Sequence, residues 1–125
     1  MIVLKAALAM TAVACTITAA SAQDAAKGAA LFKQRCSICH VVEPGKKGTI
    51  GPNLLGVVGR KAGSQSDFPY SPAMKKAPIV WSKASLDTFL TAPNKLVPGT
   101  RMVIAIPVAP QRADIVAYLS TLSWK

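Results

Sequence analysis

The first chemical signal in this chain is the run Cys36-Ser37-Ile38-Cys39-His40. Two thiols three residues apart on one turn can each add to a vinyl group of a single porphyrin. The histidine that follows then lies beneath the ring and can give an imidazole nitrogen to the iron. A bare Cys-x-x-Cys also fits a thioredoxin-like redox pair or half of a zinc site. No βαβ pattern surrounds Cys36, which argues against the first. Beyond Ala22 the chain offers two cysteines and one histidine, too few for a four-ligand zinc site. The expected chemistry is covalent attachment of one c-type haem through Cys36 and Cys39, with His40 as proximal ligand. His40 is the sole histidine, so two-histidine ligation within one chain is excluded.

Such an iron needs a sixth ligand, or it stays open for chemistry. Beyond Ala22 the candidates are Met74, Met102 and several lysines. Met74 reads as part of a short helix and as a packing residue near the ring. Met102 ends the turn-rich segment Pro98-Gly99-Thr100-Arg101-Met102, where irregular backbone can bring a thioether to the face opposite His40. Met102 is therefore the expected distal ligand.

The elements that must hold these residues are helices and loops. Asp24 reads as an N-cap for a helix over about 25–36, with Ala25, Gly28, Ala29, Phe32 and Cys36 on one face. Gly28 costs helix propensity there, which a close helix crossing would explain. Residues 43–63 carry six glycines and two prolines and read as a long loop. In a small domain such a loop usually has a task, here wrapping one edge of a cofactor. Ser71-Pro72 predicts a helix of one or two turns to Lys76. Ser82 predicts the cap of another, with Leu86, Phe89 and Leu90 on one face, stopped by Pro93. A last helix runs from about Pro110 to Leu122 on an apolar face of Ile115, Leu119 and Leu122. The pattern shows no strand and no internal repeat.

The N-terminus reads differently. Ala6–Ile17 is an apolar run too short to span a bilayer, and Ala20-Ser21-Ala22 is a small-residue cleavage signal. Residues 1–22 are expected to be a secretory signal peptide cleaved after Ala22, leaving one domain over 23–125. A retained anchor and lipidation of Cys15 are the alternatives; Ala12 stands where a lipoprotein signal usually carries leucine. Export agrees with thioether attachment, which in bacteria occurs outside the cytoplasm, and predicts a periplasmic address. The leader holds one lysine and no acid, so the remainder keeps +9 of the chain's formal +10. That charge favours acidic partners, and the address argues against nucleic acid. No disulfide is available once both remaining cysteines hold haem.

In its ordered motifs the sequence resembles the class I c-type cytochromes, in particular the bacterial cytochrome c2 and mitochondrial cytochrome c group. The resemblance spans residues 23–125. It rests on Gly28 and Phe32, Cys36-x-x-Cys39-His40, Gly51-Pro52-Asn53-Leu54, Gly59-Arg60, Tyr70, Trp81, Pro98-Gly99-Thr100-Arg101-Met102 and Ala117-Tyr118-Leu119. It implies an all-α fold in which the first and last helices cross at Gly28, with short helices and long loops around one haem. It implies that the Pro52 carbonyl holds the second nitrogen of His40. Arg60, Tyr70 and Trp81 would lie near the propionates and donate to them, and Met102 would be the distal ligand. Three positions depart from mitochondrial relatives: Phe89 replaces a tyrosine, Met74 an asparagine, and Ile106-Pro107 a glycine-containing turn.

The implied function is a monomeric, diffusible one-electron carrier, not an enzyme. The resemblance names the cytochrome bc1 complex as donor and a terminal oxidase or photosynthetic reaction centre as acceptor; a periplasmic dehydrogenase donor is equally compatible. A haem peroxidase or a gas sensor would need an open sixth position, and a peroxidase also a distal acid–base residue. Docking is expected to use cations around the haem edge: Arg35 and Arg101 beside the motif and the ligand loop, Lys95 upstream, and Lys33, Lys46 and Lys47 on the flanks.

Overall fold

The computed structural model describes Val13, Ala14 and residues 23–124. The rest of the expected leader, with Cys15 and the cleavage point after Ala22, lies outside the described residues, as does Lys125. Among the described residues five helices follow in order: α1 (Ala25–Arg35), α2 (Pro72–Lys76), α3 (Lys83–Thr91), α4 (Pro93–Leu96) and α5 (Ala109–Thr121). Among the described residues there is no strand, only one antiparallel bridge between Lys61 and Val80. None of their helices is long and apolar enough to cross a membrane.

Local chemistry sets the helix ends. Asp24 accepts from the backbone N–H groups of Ala26 and Lys27 at 2.9 and 3.0 Å, satisfying two of the donors a helix start leaves free. Ser71 caps α2 through Met74 N–H, with Pro72 at the first helical position. Ser82 and Ser85 cap α3 reciprocally. Helix α1 ends at Arg35, one residue earlier than expected, and Cys36 caps it by donating to the Phe32 carbonyl at 2.8 Å. Pro93 does stop α3, at Thr91, but it also opens α4, a turn that the sequence reading did not anticipate. A proline ends the preceding helix by its effect on the residue before it, yet suits the first position of the next.

Helices α1 and α5 cross at Gly28. The absent side chain matters here, because a Cβ would land on the Asp114 carbonyl and 2.9 Å from Tyr118 Cβ. One turn later Phe32 meets Tyr118, ring centroids 5.5 Å apart. Asp114 also accepts from the Asp24 N–H at 2.9 Å, so the same crossing anchors the start of α1. Ile115, Val116 and Leu119 of α5 are buried with Phe32, Leu86, Phe89 and Leu90 in one cluster. Burying side chains of this size contributes about 1.5–3 kcal/mol each. Arg112 binds α5 to α3 by an ion pair with Asp87 at 2.9 Å. It also donates to the Ile106 and Pro107 carbonyls, which fixes the chain leaving the Met102 segment.

Candidate haem site

The site is assembled from four stretches of chain. The first is the turn after α1. Cys39 and His40 donate their N–H groups to the Cys36 carbonyl at 3.1 and 2.9 Å, which folds the motif into a single turn with both thiols on it. Burial pushes the free Cys36 thiol up to about 11, against the pull of the neighbouring Arg35 charge.

The second stretch backs the histidine. His40 Nδ1 lies 2.8 Å from the Pro52 carbonyl. A carbonyl can only accept, so Nδ1 carries the proton and Nε2 is left with its lone pair, the form a metal requires. Burial lowers the His40 pKa, partly offset by the Pro52 hydrogen bond and lowered further by the Arg60 charge. The neutral ring is thus the favoured one. Gly51 is glycine because the ring occupies its side-chain space: a Cβ there would lie 2.7 Å from Nδ1 and 2.9 Å from Nε2. The Gly51 N–H donates to the Cys39 carbonyl at 2.8 Å, and Leu54 N–H to Val41 at 2.9 Å, tying this loop to the motif.

The third stretch pairs residues 59–62 with 79–81. Gly59 N–H donates to the Trp81 carbonyl at 2.7 Å, Trp81 N–H to Arg60 at 2.9 Å, and Ala62 N–H to Ile79 at 2.8 Å. Arg60 and Trp81 are therefore neighbours by backbone pairing, across twenty positions of sequence. Trp81 packs on Phe89 of α3, centroids 5.1 Å apart, and Tyr70 makes an edge contact with Phe68 at 4.9 Å. Burial raises the Tyr70 pKa, while the Arg60 charge and a hydrogen bond from the Gln65 backbone pull it back.

The fourth stretch carries Met102. Thr100 N–H donates to the Val97 carbonyl at 3.0 Å, with Pro98 and Gly99 between them and Gly99 at φ 91°. This is a type II turn, which places proline first and needs a residue of positive φ second. Arg101 donates to the Pro69 carbonyl at 2.7 Å, and Ile106 N–H to Leu90 at 2.8 Å, so the segment is held on both sides of Met102.

Between these stretches lies one largely apolar cavity of about 510 Å³. Its walls contain all eight residues expected from the sequence: Cys36, Cys39, His40, Pro52, Arg60, Tyr70, Trp81 and Met102. Phe32, Leu86, Ile115 and Leu119 floor it, and Met74 also reaches it. The donor set fits a covalently held haem: two thiols on a turn, an imidazole with its free nitrogen presented, and an apolar chamber of ligand size. Residues 25–123 match the family model "Cytochrome c".

The chain belongs to the cytochrome c family. It is 48% identical over 105 residues to cytochrome c2 of Rhodomicrobium vannielii, covering 83% of each chain. It is 47% identical over 103 residues to cytochrome c of Theileria annulata, covering 82% of this chain and 89% of that one. Among solved structures, cytochrome cH from Methylobacterium extorquens superposes with a TM-score of 0.72 at 43% identity, over 78% of this chain and 98% of that one. Like its relatives this cytochrome c holds one haem c, attached through Cys36 and Cys39. The fold is the small all-helical class I cytochrome c fold.

Arg60 is tied to the chain's own backbone: its Nη1 donates to the Leu55 carbonyl at 3.2 Å and its Nη2 to the Asn53 carbonyl at 2.9 Å. Asn53, to which the sequence alone assigns no role, is only 3% exposed. Its amide donates to the Glu43 and Lys46 carbonyls at 2.7 and 2.8 Å and accepts from Leu55 N–H at 2.9 Å. Asn53 thus welds the glycine-rich loop into a wall. Its place directly after Pro52 was the available signal, since an Asx side chain beside a proline commonly organises local backbone.

Proposed function

We propose that this cytochrome c is a diffusible periplasmic one-electron carrier whose iron is held by His40 and Met102. The observation that carries the reading is the convergence of both residues on one largely apolar chamber. His40 comes from the turn after α1 with its second nitrogen committed to Pro52. Met102 comes from a separate segment pinned at Pro69 and Leu90. A haem iron ligated on both faces exchanges single electrons without losing a ligand, and a thioether ligand raises its potential. The chain's own task is to hold the two donors, exclude water and leave one edge near the surface. An enzyme of the peroxidase kind would need a distal acid–base group, and the sequence offers no second histidine for it.

The cavity mouth supports docking at that edge. Ile50, Val103 and Ile104 line the cavity and are 68%, 69% and 54% exposed. Arg35, Arg101, Lys33, Lys47 and Lys95 are exposed, while Lys46 is paired with Glu43 at 2.6 Å. An acidic rim on a redox partner would complement them; a bc1-type donor, an oxidase, a reaction centre or a dehydrogenase would each suffice. The periplasmic address rests on the leader pattern in residues 1–22, and an intact mass retaining those residues would overturn it.

Ligation is tested by carbon monoxide binding and potentiometry of the holoprotein. Met102→Ala should admit carbon monoxide to the ferrous haem and lower the potential, while Met74→Ala should do neither. The reverse result would transfer the ligand role to Met74, which also lines the cavity.

A further inference from the structure

Gln65 lies in the loop between Arg60 and Tyr70, outside every motif considered above. With its carboxamide oxygen turned toward Arg60 it accepts from Nη1 at 2.9 Å, and its amide nitrogen donates to the Asn53 carbonyl at 3.1 Å. The opposite orientation would set oxygen against carbonyl oxygen and nitrogen against guanidinium, so only one orientation is bonded. Three neutral oxygens, from Asn53, Leu55 and Gln65, therefore hold the guanidinium at the cavity wall.

No protein carboxylate among the described residues pairs with it. Among the described residues the ion pairs are Lys46–Glu43 and Arg112–Asp87, and neither involves Arg60. Asp67 is the acid that acts on Arg60 through space, but it does not reach ion-pair distance. A partly desolvated cation is thus held in a set direction with no counter-ion from the protein. Such a charge at the wall of a redox chamber favours whichever cofactor state carries one more electron.

We propose that Gln65 is a positioning residue that sets the reduction potential by locking Arg60 against the cavity. The two oxygens from Asn53 and Leu55 belong to one short backbone stretch. Gln65 adds a third acceptor from a later part of the chain and restricts the guanidinium further. A neutral amide does this without cancelling the charge, which a glutamate at the same place would do. The inference rests on the proposed function and on the expectation, implied by the family resemblance, that the haem propionates lie beside Arg60.

The test is potentiometry of the holoprotein in a double-mutant cycle. Gln65→Leu removes both hydrogen bonds and lets the guanidinium drift outward. At fixed poise it should raise the oxidised-to-reduced ratio about threefold, the order expected when a unit charge moves a few ångströms at an effective dielectric constant near 20. That is a fall of roughly 30 mV for a one-electron couple. Gln65→Asn, whose shorter side chain cannot span Arg60 and Asn53, should act in the same direction. In an Arg60→Lys background, which lacks the planar fork, Gln65→Leu should no longer move the potential. Unchanged potential in both Gln65 variants while Arg60→Lys still shifts it would overturn the inference and leave the reading of Arg60 intact. A Gln65 effect of equal size in both backgrounds would also overturn it. An Arg60→Lys protein with the parental potential would bring down the placement of Arg60 and the inference together. Thermal unfolding of each variant separates a purely structural effect, which would lower the midpoint and leave the potential alone.

Discussion

Replacing Gly28 by alanine should destabilise this cytochrome although alanine is the better helix former. In an exposed helix the exchange would gain about 0.8–1.0 kcal/mol. At this crossing the new methyl would fall on the Asp114 carbonyl oxygen, with the carbonyl carbon 2.5 Å and Tyr118 Cβ 2.9 Å away. The obstruction is backbone of α5, not the end of a flexible side chain, so the helices must separate. Overpacking a tight site costs about 1–3 kcal/mol. Here the upper half of that range applies, because the shift also disturbs the Phe32–Tyr118 contact and the Asp24–Asp114 hydrogen bond. The net loss is about 1–2 kcal/mol after the propensity gain. For a domain of this size that lowers Tm by roughly 5–15 °C. The assay is guanidinium and thermal unfolding of the holoprotein by circular dichroism. The exposed α1 residue Ala30 supplies the control: Ala30→Gly should cost about 1 kcal/mol from propensity alone. A Gly28→Ala protein as stable as the parent, or more so, would refute the claim that the crossing dictates the glycine.

Two further outcomes follow from the site. Charge reversal at Arg35 or Arg101 should slow second-order electron transfer to the native partner at low salt with little change in potential, and reversal at Lys125 should matter much less; stopped-flow rates that ignore ionic strength would favour apolar docking, since steering fades as the Debye length shrinks to about 10 Å at 0.1 M salt. Burial raises the Tyr70 pKa above its ordinary 10.0, so its contribution to stability is present below that value and lost as pH rises through the higher folded one. Unfolding free energy measured against pH should therefore fall less steeply above pH 10 in Tyr70→Phe than in the parent.

The chemistry of this protein is legible in its sequence because it depends on local spacing. Cys36, Cys39 and His40 must share one turn, and a turn is a property of neighbouring residues. The caps at Asp24, Ser71 and Ser82 and the glycine required in the Pro98-Gly99 turn are local in the same sense. Gly28 was readable as a crossing because a glycine inside a helix has a cost that something else must offset. Tertiary structure alone decided the rest. It set Arg60 beside Trp81 by backbone pairing, gave Asn53 its place in the wall, and brought Gln65 onto a guanidinium five positions earlier. It also made Pro93, which stops α3, the first residue of α4. No periodicity records such contacts, because they depend on how loops without regular structure close around a common centre. The residues that can bond or ligate the cofactor announce themselves by type and interval. Those that only hold them in position are ordinary polar residues until the chain is folded.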